Sequence, residues 1–122
     1  MSKTALVLTP KEWLAYQPDR ATKGRESTER WDEAWEVARA AAGLLRQRFG
    51  ATRVVAFGSL THRAWFTPWS DVDLAAWGIS PGAFYRAVAV VAGLSSQFSV
   101  DLVAAEDSPP ALRQAIEEGI DL

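Results

Sequence analysis

Apolar positions along this chain follow two rhythms. From Trp31 onward they recur every three or four residues, at Trp31, Ala34, Trp35, Ala38, Ala42, Leu45 and Phe49, which is one stripe of a helix. Thr28 is placed to cap that helix, Glu29, Asp32 and Glu33 suit its positive end, and Arg46 and Arg48 suit the other. Gly50 stops it. Continuous apolar runs then replace the stripe: Arg53–Phe57 reads as a buried strand entering Gly58, Val72–Trp77 as a second stopped by Gly78, and Phe98–Ala104 as a third. Between the first two, Ser59 to Trp69 predicts a turn, one helical turn at most, and an irregular loop ending near Pro68. Ser80-Pro81 opens a helix with Phe84, Val88 and Val91 on its apolar side, ending near Gly93. Ser108-Pro109-Pro110 caps a last helix bearing Leu112, Ala115 and Ile116, stopped by Gly119.

Upstream of the stripe the rhythm is lost. Thr9-Pro10 is a helix start, predicting a short helix over Lys11–Tyr16. Gln17 to Ser27 is polar, holds Pro18 and Gly24, and reads as a loop or mobile arm. Residues 1–28 are thus expected to be an N-terminal arm and 29–122 one folded domain. The order helix, strand, strand, helix, strand, helix predicts an α/β (α+β) fold: a small mixed β-sheet flanked by helices, expected on one face.

Composition narrows the classes. A chain of 122 residues holds one modest core, and 48% hydrophobic content with six tryptophans is that of a globular domain. A net charge of −2 creates no field for polyanions, so no nucleic-acid partner is expected, and the arginines from Arg20 to Arg30 read as a solvated arm. Cysteine is absent, which excludes disulfides, thiolate metal sites and a cysteine nucleophile. The apolar run near Met1 is too short for a signal peptide and no window could span a membrane, so a soluble cytoplasmic protein is expected.

The chemistry concentrates where strands meet turns. Phe57-Gly58-Ser59 ends the first strand and Ser70-Asp71-Val72-Asp73-Leu74 opens the second. Residues two apart on a strand share a face, so Asp71 and Asp73 can converge on one ion. Asp101 stands in the third apolar run. Charges at Asp73 and Asp101 inside apolar strands would be costly unless compensated by a cation or a nearby arginine. Glycine allows close backbone approach, and amides beside the Ser59 hydroxyl can cradle a triphosphate. Hard oxygen ligands on adjacent strands suit two Mg²⁺ ions, a known arrangement for in-line phosphoryl displacement. In the intervening loop Trp65, Phe66 and Trp69 could stack on adenine, form a partner surface or pack the core beneath. His62 reads as an exposed loop residue, and Tyr85 is given no catalytic role.

Gly58-Ser59, then Asp71-x-Asp73, then Asp101 on a later strand resembles the DNA polymerase β-like nucleotidyltransferase superfamily. The short chain resembles in particular its minimal nucleotidyltransferases, the antitoxins of HEPN/MNT toxin–antitoxin pairs. The resemblance runs from Trp31 to the C-terminus and implies a mixed sheet with flanking helices, two Mg²⁺ ions, and ATP as substrate. It implies that Gly58 and Ser59 hold the nucleotide phosphates, helped by Arg63. Asp71, Asp73 and Asp101 would be metal ligands and catalytic residues, Asp101 also activating the attacking hydroxyl. The implied activity is transfer of AMP to a hydroxyl of a cognate HEPN ribonuclease toxin, a tyrosine in some members, which silences it. The alternative is an antitoxin that neutralises by binding alone. The loop departs from the family's pattern: eleven residues separate Ser59 from Asp71, one more than in many members, and Leu60-Thr61-His62-Arg63 replaces the usual Ala-Arg-Gly.

Overall fold

In the computed structural model the chain is described from residue 20 to residue 122, with side chains from Thr28 onward. The expected helix over Lys11–Tyr16 lies outside the described residues. Helix α1 (Arg20–Phe49) leads into β1 (Arg53–Phe57), then two 3₁₀ turns (Gly58–Thr61 and Arg63–Trp65) and β2 (Val72–Trp77). Helix α2 (Pro81–Ala92), β3 (Val100–Ala104), helix α3 (Pro110–Glu117) and β4 (Ile120–Asp121) complete the order. The sheet is mixed, in the order β3-β2-β1-β4: β2 runs antiparallel to β1 and parallel to β3, and β4 returns antiparallel to β1.

Side-chain alternation gives the sheet two faces. Val54 and Ala56 of β1, Val72, Leu74 and Ala76 of β2, and Val100 and Leu102 of β3 form one buried face under Ala34, Ala38, Ala41, Ala42 and Leu45 of α1 and Ala87 and Val91 of α2. The small alanines let α1 lie close to the sheet, while Trp31, Trp35 and Phe49 of the expected stripe pack at its margins. Val55, Phe57 and Ala75 point the other way, where they meet Ile116 of α3 together with Leu112 and Ala115. Helices therefore cover both faces, not one as expected, because a second apolar set on alternate positions of β1 and β2 needs its own cover.

Three further differences have physical causes. The α1 helix runs back through the segment expected to be a loop, so Thr28 is interior and not a cap. Once nucleated, helix propagation adds a hydrogen bond per residue, and one glycine at about 1 kcal/mol does not stop it. Ser108 does not cap α3: its hydroxyl donates back to the Ala104 carbonyl at 3.0 Å, leaving Pro109 at the cap position. Strand β4 was not foreseen. Its position is fixed by the Leu122 N–H donating to the Val54 carbonyl at 2.9 Å and by Arg53 paired with Asp121 at 2.7 Å.

Candidate active site

The C-terminal end of β1 and the N-terminal ends of β2 and β3 meet at one end of the sheet, on the face that carries α3. Asp73 is directly opposite Phe57 on β1 and directly opposite Asp101 on β3. Paired residues on neighbouring strands stand about 5 Å apart with their side chains on the same face. The parallel register thus sets Asp73 beside Asp101, as the strand order led one to expect, and Asp71 precedes β2 by one residue at the same end.

Burial differs among the three. Asp73 is half-buried, whereas Asp71 and Asp101 are exposed. The expectation of a costly buried charge holds for Asp73 and not for Asp101, which lies on the outermost strand where its face is open. Burial above all, then the charges of Asp101 and Asp71, push the Asp73 carboxyl up to about 6. Among the described residues none of the three carboxylates is in an ion pair; the pair formed is Arg53–Asp121, on the same face but at the far end of β1 from Phe57 and Asp73. Nor are three acidic or histidine side chains among the described residues already drawn together as a metal-ligating cluster. The donor chemistry nonetheless fits a hard divalent cation. Adjacent oxygen ligands with no positive partner, one of them disfavoured as an anion by its surroundings, are what such a cation stabilises.

Gly58 is built against this group. Its φ is +78°, which strains any residue with a side chain, and a Cβ there would stand 2.8 Å from Asp73 Oδ2, which would have to move aside. Ser59 follows in the first 3₁₀ turn, partly exposed, with no hydrogen bond to its hydroxyl among the described residues. Leu60 is fully buried and Thr61 Oγ1 donates to the Gly58 carbonyl at 2.8 Å, so the turn is closed on itself. Arg63 stands exposed at the start of the second turn and makes no ion pair with the carboxylates; His62 lies against Trp65 with ring centroids 4.0 Å apart and planes tilted by 40°.

Two residues that the sequence reading assigned elsewhere hold the frame. Trp31, read as part of the apolar stripe, also donates from Nε1 to the Leu60 carbonyl at 2.9 Å, tying α1 to the Gly58-Ser59 turn. Arg30, read as part of a solvated arm, donates to the Pro68 carbonyl at 2.9 Å and the Gln97 carbonyl at 3.3 Å, with its guanidinium 4.5 Å from the Phe98 ring. Consecutive residues of one helix therefore fasten the loops that precede Asp71 and Asp101 and the turn that follows β1. The signal was their place at the N-terminal end of the apolar stripe, which a linear reading cannot connect to loops 29 to 67 residues away.

A separate cavity of about 500 Å³ opens at the opposite end of β2 and β3, lined by Ile79, Phe84, Tyr85, Glu106 and Asp107 among others. It contains none of Asp71, Asp73 and Asp101, which lie at the other end, two of them exposed. No helix among the described residues is long and apolar enough to cross a membrane. Set against known proteins, the chain matches no family model and no curated protein sequence.

Proposed function

We propose that the chain is a Mg²⁺-dependent nucleotidyltransferase that moves AMP from ATP to a hydroxyl of a protein partner, on the nucleotidyltransferase fold that its motifs resemble. The observation that carries this reading is the direct pairing of Asp73 with Asp101, with Gly58 pressed against the Asp73 carboxylate. Asp71, Asp73 and Asp101 would hold the metal, which when bound offsets the charge that develops on the α-phosphate.

The chain's own groups supply positioning and proton transfer. Ser59 offers its hydroxyl to the phosphates on a turn whose backbone approaches the carboxylates without an intervening side chain. Asp101, exposed at the edge, would take the acceptor's proton on a carboxylate oxygen. The acceptor oxygen then bonds to the α-phosphorus, the bond from that phosphorus to the bridging oxygen breaks, and pyrophosphate departs with the electron pair. With Asp71 and Asp101 exposed, that end of the sheet admits a hydroxyl carried on a macromolecule. The resemblance points to a HEPN-type ribonuclease toxin as that acceptor, which would make the chain its antitoxin and place both in the cytoplasm.

The test is incubation with the partner, Mg²⁺ and α-labelled ATP, followed by intact mass. Partner gain in AMP-sized steps, lost in Asp71→Asn, supports transfer. A stable complex with no gain, in which Asp71→Asn still neutralises, would leave an antitoxin that acts by binding.

A further inference from the structure

The loop joining Ser59 to Asp71 displays two indoles that its own packing does not use. Trp65 is 64% exposed and Trp69 is 76% exposed. Phe66, between them in sequence, is the aromatic that anchors the loop, packed on the core with its ring 6.4 Å from that of Phe98. Core packing thus accounts for one of the three aromatics and leaves the two largest in water.

The display is ordered. The His62 N–H donates to the Ser59 carbonyl, Trp65 N–H to the His62 carbonyl, and Ser70 N–H to the Thr67 carbonyl. The Ser70 hydroxyl accepts from the Thr67 N–H at 2.8 Å, and Arg30 holds the Pro68 carbonyl. His62 braces the Trp65 ring. An exposed apolar side chain on a loop pinned at this many points loses little freedom on binding, which is the condition for an effective contact.

We propose that Trp65 and Trp69 form a stacking platform for the base of the nucleotide whose phosphates meet Ser59 and the carboxylates. This rests on the nucleotidyltransferase reading and names what that site would bind beyond phosphate. Chain connectivity sets the reach: Trp69 is two residues from Asp71, so their Cα atoms are within about 7 Å. Trp65 is reached from Ser59 through two closed turns, Ser59 to His62 and His62 to Trp65, each under about 7 Å between its end Cα atoms, so the two are within about 14 Å. Both indoles therefore lie within a nucleotide's length of the residues at its phosphate end. Arg63 stands between them and Ser59 as an exposed cation with no ion pair among the described residues, suited to the same ligand. Position favours a base over a protein surface: both indoles belong to the loop that joins the Gly58-Ser59 turn to Asp71, and Arg63 on the same loop is an exposed cation suited to an anionic ligand. A base needs only a ring face, and stacking tolerates any base.

Calorimetric titration separates this proposal from the reading beneath it. The wild-type chain, Trp65→Ala and Trp69→Ala are each titrated with ATP and with tripolyphosphate, both with Mg²⁺. The expected result is a roughly tenfold or greater loss of ATP affinity in each variant, with tripolyphosphate affinity unchanged, and most ATP affinity retained in Trp69→Phe. Unchanged ATP affinity in both variants, with tripolyphosphate bound normally, would overturn the platform alone. Loss of partner capture in those variants with ATP affinity intact would overturn it in favour of a protein-docking loop. Failure of the wild-type chain to bind either ligand would overturn the nucleotidyltransferase reading and the platform with it.

Discussion

Beneath α1 and α2 the sheet presents Val54, Ala56, Val72, Leu74, Ala76, Val100 and Leu102, all buried, whereas on the face beneath α3 only Val55, Phe57 and Ala75 are buried, with Trp77 and Val103 packed partly exposed beside them. The same three strands supply both, one residue out of step. On the second face α3 spans eight residues and covers only part of what the long α1 and α2 cover on the first. Asp73 and Asp101 occupy what remains. A sheet closed by helices on one side has stability to support an incompletely covered shelf on the other, and the acids stand where cover ends and water begins.

Leu74 and Asp73 are neighbours on β2 that face opposite ways, and replacing each is the strongest way to break the comparison. Leu74→Ala empties a fully buried position and is expected to cost about 2–5 kcal/mol, read as a lower denaturation midpoint with an unchanged slope. Asp73→Asn is expected to have the opposite sign at neutral pH. The folded carboxyl lies above its ordinary value of 3.8, at about 6, so folding then favours the protonated form. Its contribution to stability is present in full below the ordinary value and is lost as pH rises through about 6. Thermal melts without metal should therefore show the wild-type chain losing ground to Asp73→Asn between pH 4 and 7. The difference is smaller than the full shift implies, since the group is only half-buried and water screens it. At pH 7, Mg²⁺ should raise the melting temperature of the wild-type chain and leave that of Asp73→Asn unmoved. A melting difference independent of pH would sink the assignment of strain to this carboxylate.

Gly58→Ala tests the junction between the faces. The left-handed backbone alone costs roughly 1–2 kcal/mol for a residue with a Cβ. The added methyl would also press on Asp73 Oδ2, forcing the carboxylate aside. A modest fall in midpoint should accompany loss of Mg²⁺-induced stabilisation. If metal response survives in a folded Gly58→Ala chain, the close approach of Gly58 to Asp73 has no functional weight.

How much of this was legible before the structure follows the same division. The residue ranges of β1 and β2 agree with their apolar runs because glycines with positive φ, Gly58 and Gly78, punctuate both. The stripe of α1 and the apolar side of α2 were readable because covered faces leave a period in the sequence. The pairing of Asp73 with Asp101 could be expected from strand order, while its register could not. Strand β4 left no trace: Ile120 and Asp121 are both exposed, and two residues carry no period. The cover that α3 gives to the second face was misread because Val55 and Phe57 lie in a run that is apolar on both sides, which hides the alternation. Arg30 was misread because its partners are carbonyls, which no sequence pattern records.

Trp31 and Arg30 offer the smallest expected change in stability and the sharpest test of how the two faces communicate. Both sit on α1, the helix of the closed face, yet their hydrogen bonds end on loops that lead to the open one. Trp31→Phe keeps a ring in place and removes the bond to the Leu60 carbonyl, which should cost about 1 kcal/mol. Its signature lies elsewhere: amide exchange should quicken in the 58–61 turn while β1 and β2 stay protected. Arg30→Ala should do the same for the segments around 67–70 and 95–98, and Arg30→Lys should restore only part, since an ammonium can donate to both carbonyls as the single Nη2 does but cannot lay a planar guanidinium over the Phe98 ring. Should either variant loosen the whole sheet instead, α1 acts simply as cover for the core. Should the loosening stay local while Mg²⁺-ATP affinity falls, the closed face is what holds the open one in register.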